Sequence, residues 1–293
     1  MLPVTYYHVV FTVPHTLNAW VALHRRVIYR LLFQTVWATI KAFGADPKRL
    51  GGELGMTAVL HTWSQNLSQH VHLHCLIPGG TLSQAGQWRS VKGNYLFPVR
   101  ALSRHFRGRM VSALRTAQQQ GELSRVTRPG DVDRLLDALM QTEWVVYSKA
   151  CLSHTDTVVA YLARYSHRIA ITDRRIVGIE DGQVRFHYKD YRDGDHKVMQ
   201  LTSEEFIRRF LLHVLPEGFM RIRHYGWLAN CCRQAKLERI RTSLEHRDDT
   251  EVTTNTQEAS GCRIFDGYPC PKCQQGYLRV RCSIAPTHRA GGG

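Results

Sequence analysis

The 293-residue sequence predicts an α+β fold: a sheet with helices on one face and a small C-terminal appendage. Short runs of β-branched and aromatic residues, typical of strands, alternate with longer amphipathic stretches. One hairpin signal, at Asp181-Gly182, separates this pattern from a regular strand–helix repeat. The residues after a long polar stretch are too few to build a core of their own, so they form the appendage.

The first third of the chain predicts three strands and one long helix. Residues 6–13 read as a strand, and 23–43 as a helix because apolar residues recur at three-to-four spacing. Gly44 is placed where a helix-ending glycine is expected. Residues 56–61 and 71–77 are the second and third strands.

The later elements follow from the same patterns. Residues 101–119 and 132–141 predict helices, the second capped by Asp131, and 144–147 predict a strand. Residues 157–165 predict a short helix, 174–188 a hairpin, and 203–213 a helix capped by Thr202 or Ser203. A last helix is predicted over 227–244. The polar residues 245–261 read as a linker, so the predicted division is 1–244, 245–261 and 262–293.

The composition makes a nucleic acid the first partner to consider. The chain carries 39 Lys and Arg residues against 24 Asp and Glu residues, a formal net charge of +15. Its 43% hydrophobic content excludes a wholly disordered chain. The apolar runs are too short to span a membrane. The N-terminus lacks a basic cluster followed by an apolar core, which predicts a cytoplasmic protein without a secretory signal.

The densest chemical signal is a strand with three histidines, His70, His72 and His74. Side chains alternate along a strand, so these imidazoles project from one side and apolar side chains from the other. Two imidazoles separated by one apolar residue can chelate a divalent ion and leave positions open for phosphate and water. The alternative is a solvated, histidine-rich face.

A third metal ligand can be sought on the preceding strand. If the two strands on either side of Asn66 pair antiparallel, His61 falls opposite His72 and shares its face. Gln65 and His8 are competing candidates, and a purely structural histidine is the remaining alternative.

Two tyrosines at helical spacing are candidate nucleophiles. On a helix, the spacing of Tyr161 and Tyr165 would place both rings on the same side, and Arg164 and Arg168 flank them in the sequence. A phenol, with a pKa of about 10, is a weak nucleophile. Its attack on a phosphodiester requires a metal on the phosphate oxygens and guanidinium groups that stabilise developing charge. The histidine strand supplies that metal site; taken alone, the two tyrosines are compatible with core or surface aromatics.

The tail contains a candidate zinc site. Cys270 and Cys273 form a CxxC pair, and Cys262 and Cys282 flank it. Four thiolates suit a tetrahedral structural zinc. Because thiols stay reduced in the cytoplasm, clustered cysteines there indicate metal ligands more than disulfides. His288 could replace either outer cysteine, and a tail with unpaired thiols is the alternative.

The stretch 219–227 mixes arginines with aromatic residues, which suits stacking on unpaired bases and contact with phosphate. Arg223, in its centre, is the candidate DNA contact. A strand-to-helix corner with a packed Trp explains the same residues. Because no Walker loop, GxGxxG or GxSxG motif occurs in the sequence, ATP hydrolysis and serine-hydrolase chemistry have no support.

These residues together resemble the HUH nucleases, in which two His flank one hydrophobic residue, here His72-Leu73-His74. More specifically, the chain resembles the two-tyrosine rolling-circle transposases of the IS91 insertion-sequence type. The resemblance runs over nearly the whole chain, through residues 7–15, 61–67, 70–80, 161–168, 205–216 and 221–230.

The resemblance implies roles for individual residues. His72 and His74 would ligate Mg²⁺ or Mn²⁺, and Tyr161 and Tyr165 would be the two nucleophiles. It also implies a central antiparallel sheet with the histidine strand in its middle and the tyrosine helix over it. Family members usually carry a Cys-rich zinc-binding segment ahead of the first strand. This sequence begins at that strand, which predicts that the segment is absent.

The function implied is that of a bacterial, nucleoid-associated transposase. Residues 1–244 would form the HUH domain, which cleaves and joins single-stranded DNA, at element ends and target, through 5′-phosphotyrosine intermediates. A rolling-circle replication initiator or relaxase-like nickase would use the same site and is one alternative. A non-catalytic nucleic-acid-binding module, with structural histidines and a zinc-binding tail, is the other.

Overall fold

A computed structural model of the chain describes residues 2–91, 95–126, 129–151, 170–190, 193–251, 268–269 and 277–278. The chain divides into two compact units, Met1–Asp248 and Asp249–Gly293. In the second unit, Tyr268–Pro269 pairs antiparallel with Tyr277–Leu278. The predicted helix over residues 157–165 and the four cysteines of the candidate zinc site lie outside the described residues. The predicted domain boundaries stay a prediction.

The described elements follow the predicted order, with several additions. They are β1 (Tyr6–Thr12), α1 (Asn18–Leu23), α2 (Arg25–Ala45), β2 (Gly55–Trp63), β3 (Gln69–Pro78), β4 (Gly80–Leu82), β5 (Trp88–Ser90), α3 (Val99–Gln119), α4 (Pro129–Gln141), β6 (Val146–Cys151), β7 (Ile176–Glu180), β8 (Gln183–Lys189), β9 (His196–Thr202), α5 (Ser203–Leu211), β10 (Ile222–Gly226) and α6 (Arg233–Glu251). Within the described part of the chain, no helix is both long and apolar enough to cross a membrane.

The main sheet has five strands in the order β10-β2-β3-β1-β6, and each neighbouring pair is antiparallel. The predicted α+β fold with a central antiparallel sheet is therefore confirmed, and the histidine strand β3 lies in its middle. The predicted pairing is confirmed as well, because His61 on β2 lies opposite His72 on β3.

One face of β3 is apolar and buried under the helices. Val71, Leu73, Cys75 and Ile77 are fully buried in one cluster with side chains of α2 and α3. Burying each such side chain contributes about 1.5–3 kcal/mol. A slip of one residue would turn this row outward and push the imidazoles into the core, so the burial fixes the register that gathers the histidines on the other face.

A second, three-stranded sheet, β7-β8-β9, packs with α5 beside the turn between β2 and β3. Phe186 of β8 is fully buried against Leu67 of that turn and meets Phe206 of α5 edge-on. The hairpin turn at Asp181-Gly182 forms as predicted, with positive φ at both residues. Of the two candidate caps, Thr202 is the one used, since its hydroxyl accepts from the Glu205 amide.

Three predicted helix ends differ from the structure. Gly44 lies inside α2, where an added Cβ would come 2.3 Å from Leu54 Cδ1, so close packing rather than helix ending requires glycine. Asp131 lies in the first turn of α4 rather than ahead of it. The last helix begins at Arg233 because residues 227–232 form turns after β10, and it continues to Glu251.

Candidate metal centre

Three imidazoles converge on the open face of the main sheet. His61, His72 and His74 each offer a ring nitrogen, and these atoms all lie within 4.8 Å of one another. The ring centroids of His61 and His74 are 4.3 Å apart, and those of His72 and His74 are 4.7 Å apart. Alternation along β3 and the cross-strand pairing of β2 are sufficient to produce this cluster.

Contacts at the Nδ1 atoms orient two of these imidazoles, His72 and His74. His72 Nδ1 donates to the His70 carbonyl at 2.8 Å, which leaves Nε2 with its lone pair. His74 Nδ1 lies 2.8 Å from His8 Nε2, and these two rings stack at 5.0 Å, nearly parallel. Metal-bound histidines characteristically use the second ring nitrogen in this way, so His72 and His74 are arranged to ligate through Nε2.

Burial favours the neutral form of His72, His74 and the neighbouring His8. It lowers the pKa of His72 to about 3, and repulsion from His61 and His70 adds to the effect. The pKa of His74 is also lowered strongly, by burial and then by His72 and His61. Burial lowers the pKa of His8 to about 4. Neutral imidazoles need not lose a proton before they bind an ion, so protonation would not oppose metal binding at neutral pH.

The ligand set fits a divalent transition metal. Ligand nitrogens on one ion at about 2.1 Å each are at most about 4.2 Å apart, so a 4.8 Å limit requires only small side-chain rotations. Imidazole suits transition metals, whereas Mg²⁺ prefers carboxylates, carbonyls and water. The triad could therefore hold a divalent metal ion.

An aromatic and cationic stack supports His61. The His61 ring stacks on Trp63 at 4.6 Å, and the Arg221 guanidinium lies 4.9 Å from the centre of the same indole. Arg221 also donates to the Leu60 carbonyl at 3.2 Å. A register shift between His61 and Trp63 accompanies the stacking. His61 is 5% exposed, so its ring is confined by these contacts.

A cleft of about 800 Å³ opens over the triad. Its lining includes the triad and His70 on the main sheet, His15 from the short turn after β1, and the end of β8 with Met199 of β9. Trp63 and the β2–β3 turn also line the cleft. This volume falls within the usual range of ligand-binding clefts.

The other predicted site residues do not belong to the triad. His8 contacts His74 rather than joining the triad, and Gln65 lines the cleft. Arg223 lies on the helix-covered side of the sheet, where its guanidinium is 4.3 Å from the centre of the Phe33 ring. Its DNA-binding role stays a prediction. Tyr161, Tyr165, Arg164 and Arg168 lie outside the described residues.

Sequence reasoning did not find the supporting residues Trp63 and Arg221. Arg221 belongs to the basic, aromatic stretch 219–227, so composition indicated the segment but not which guanidinium reaches the site. Tyr188 and Lys189, which line the cleft from β8, carried no sequence signal.

An antiparallel sheet with a His-hydrophobic-His strand at its centre, and a third imidazole on the neighbouring strand, is compatible with the HUH fold. A family model with the description "Putative transposase" matches residues 55–235. The chain is 42% identical over 294 residues to "Putative transposase y4qJ" of Sinorhizobium fredii, an alignment covering 95% of this chain and 73% of that protein.

A second relative is the "Transposase for insertion sequence element IS801" of Pseudomonas savastanoi pv. phaseolicola. It is 28% identical over 241 residues, covering 76% of this chain and 54% of that protein. The chain belongs to the IS91 family of transposases.

Proposed function

We propose that the chain cleaves and rejoins single-stranded DNA in rolling-circle transposition, using the imidazole triad and two tyrosine nucleophiles. The observation that carries this proposal is the convergence of His61, His72 and His74 in an open cleft of a transposase-family chain. A divalent ion held there would act as a Lewis acid on a phosphate oxygen.

The chain's own groups supply the remaining chemistry. The Tyr161 or Tyr165 oxygen attacks phosphorus, loses its proton, and forms a 5′-phosphotyrosyl bond while the bond to the 3′-oxygen breaks. That oxygen takes up a proton and leaves as a free 3′-hydroxyl. The second tyrosine carries out the matching cleavage, so element ends and target are joined without hydrolysis. Arg164 and Arg168 hold the phosphate, and Cys262, Cys270, Cys273 and Cys282 bind a structural zinc in the tail.

The direct test is incubation of the protein with a labelled single-stranded oligonucleotide and Mn²⁺. A covalent protein–DNA adduct that resists denaturation, and whose attachment maps to Tyr161 or Tyr165, supports the proposal. Binding without an adduct, under conditions where the metal is bound, would identify a nucleic-acid-binding module instead. Mg²⁺ in place of Mn²⁺ is expected to support a slower reaction, because the triad offers nitrogen rather than oxygen ligands.

Replacing His8 by Phe is expected to weaken Mn²⁺ binding by about 10- to 100-fold, as loss of a hydrogen bond behind a metal-bound imidazole does. The substitution keeps a flat ring beside His74 but removes the nitrogen at 2.8 Å. Isothermal titration calorimetry measures the affinity. The His8→Gln variant keeps an acceptor and should retain more of it; wild-type affinity in the Phe variant would contradict the prediction.

The metal-free protein is expected to lose stability as pH falls below about 6.5. The folded-state pKa values are lowered, to about 4 for His8 and about 3 for His72, so the unfolded chain binds protons first. Each such group removes about 1.4 kcal/mol per pH unit until pH reaches its folded-state pKa. Urea unfolding with a chelator present measures the slope. His8→Phe should make it shallower, and a flat profile between about pH 6.5 and 4.5 would be inconsistent with neutral buried imidazoles.

A further inference from the structure

The part of the cleft lined by the second sheet has no part in the chemistry above. Tyr188, Lys189 and Asp190, at the end of β8, line it together with Met199 of β9; we call these four residues the β8 wall. We propose that the β8 wall binds the unpaired nucleotide next to the cleaved phosphate, with its base on the Tyr188 ring and a phosphate on Lys189. This inference rests on the proposed function, which puts a single strand in the cleft.

Tyr188 is anchored on one side and accessible on the other. It packs in the cluster that contains Leu67 and Phe186, yet it is only partly buried and lines the cleft. A ring held in this way loses little freedom when a base stacks on it. Stacking on aromatic rings is a main source of affinity for single-stranded nucleic acids, because every base has a π face.

Lys189 provides the charge for a phosphate. Its side chain is exposed, and none of the described residues forms an ion pair with it. The neighbouring Asp190 carboxylate is 3.1 Å from Lys197 Nζ, so that carboxylate already has a cationic partner. Lys189 is therefore the ammonium group of the β8 wall available to a strand in the cleft.

The β8 wall is tied to the triad through the β2–β3 turn. Arg175 donates to the His187 carbonyl at 2.8 Å, next to Tyr188, and its other end donates to the Gln65 carbonyl in the turn. Arg209 donates to the Asn66 carbonyl at 3.2 Å. A base on Tyr188 and a phosphate near the imidazoles would consequently be held by two sides of one site.

The test is a binding scan with single abasic sites. A labelled, mixed-sequence single strand is titrated in fluorescence anisotropy without divalent metal, with one base removed at a time. In wild type, one position is expected to lower affinity about 10-fold, the size of one lost stacking contact. Tyr188→Leu, which keeps apolar packing but has no π face, should bind the intact strand about 10-fold more weakly and be insensitive to that abasic site. Tyr188→Phe should behave like wild type.

Lys189→Gln should lower the slope of log affinity against log salt by about 0.7, the value for one phosphate contact with a single strand. The control Arg185→Gln removes a cation from the same strand at a position that does not line the cleft, where it pairs with Glu180 at 3.0 Å. It should leave the slope unchanged. The matched control for Tyr188→Leu is Tyr95→Leu, which removes an exposed aromatic ring that does not line the cleft.

Two results would overturn the inference. In the first, the Tyr188→Leu variant binds the intact strand as tightly as wild type and gives the same abasic-site profile. In the second, the abasic site lowers the affinity of the variant and of wild type equally. A duplex binding as tightly as the single strand would also overturn it, since paired bases cannot stack on the ring. Because this assay needs neither metal nor tyrosine nucleophile, its failure differs from that of the proposed function. The latter fails when no covalent adduct forms, even if the β8 wall binds a strand.

Discussion

Replacing His72 or His74 by Ala is expected to abolish DNA cleavage and to lower Mn²⁺ affinity by more than about 100-fold. Loss of a group behind a ligand costs about 10- to 100-fold, and loss of the ligand itself exceeds that. Each variant removes one of three nitrogens that lie within 4.8 Å of one another. Calorimetry measures metal affinity and a labelled oligonucleotide measures cleavage.

The matched control is His196→Ala, which removes an exposed imidazole from β9. It should leave both quantities unchanged. Thermal unfolding of each variant separates loss of the site from loss of the fold. If His72→Ala folds and cleaves DNA at the wild-type rate, the triad is structural and the proposed metal chemistry is wrong.

Replacing Tyr161 or Tyr165 by Phe is expected to block strand transfer, and replacing both should abolish the covalent adduct. The change removes only the hydroxyl oxygen that would attack phosphorus and keeps the aromatic ring. Denaturing gels detect the adduct, and joined oligonucleotides report transfer. Mn²⁺ affinity should stay at the wild-type value, which separates a lost nucleophile from a lost metal site.

Tyr95→Phe is the control for this pair, because it removes an exposed hydroxyl outside the cleft. Metal-dependent nicking that survives in the double variant would rule out both tyrosines as nucleophiles. Activated water would then be the attacking group, and the imidazole triad would serve a hydrolytic nuclease.

The strands nearest the site could be predicted because their pattern is local. Alternation of histidine and apolar residues along β3 specifies both faces, and a short turn specifies that His61 meets His72. The helix ends were less predictable. Glycine is common just after a helix, but Gly44 lies inside α2 because its close contact with Leu54 leaves no room for a side chain. The sequence alone does not reveal a contact between residues ten positions apart. Strand β10 and the buried Trp227 agree with the strand-to-helix corner that was one of two alternatives for residues 219–227. The sequence could not choose between them, since the five residues of β10 depend on β2 for pairing.

Composition identified the basic, aromatic stretch around Arg223 but not the surroundings of each arginine in it. The stretch 219–227 has the residues of a nucleic-acid contact, and within it the structure directs Arg221 to Trp63 and Arg223 to Phe33. Arg223 and Tyr225 lie opposite Ala58 and Met56, whose side chains belong to the helix-covered core. The sequence could not reveal this, because the side of a strand that meets the helices depends on the register of its neighbour.

The sequence by itself determined the chemical identity of the site: imidazoles on one face of a strand, at a spacing that follows from the two-residue period of a β-strand. Tertiary structure alone decided which groups surround them. His8 on β1 reaches His74 because β1 pairs with β3, and the β8 wall closes the cleft because a second sheet packs beside the β2–β3 turn. Such contacts depend on strand order and on packing between distant segments, which local residue patterns do not specify.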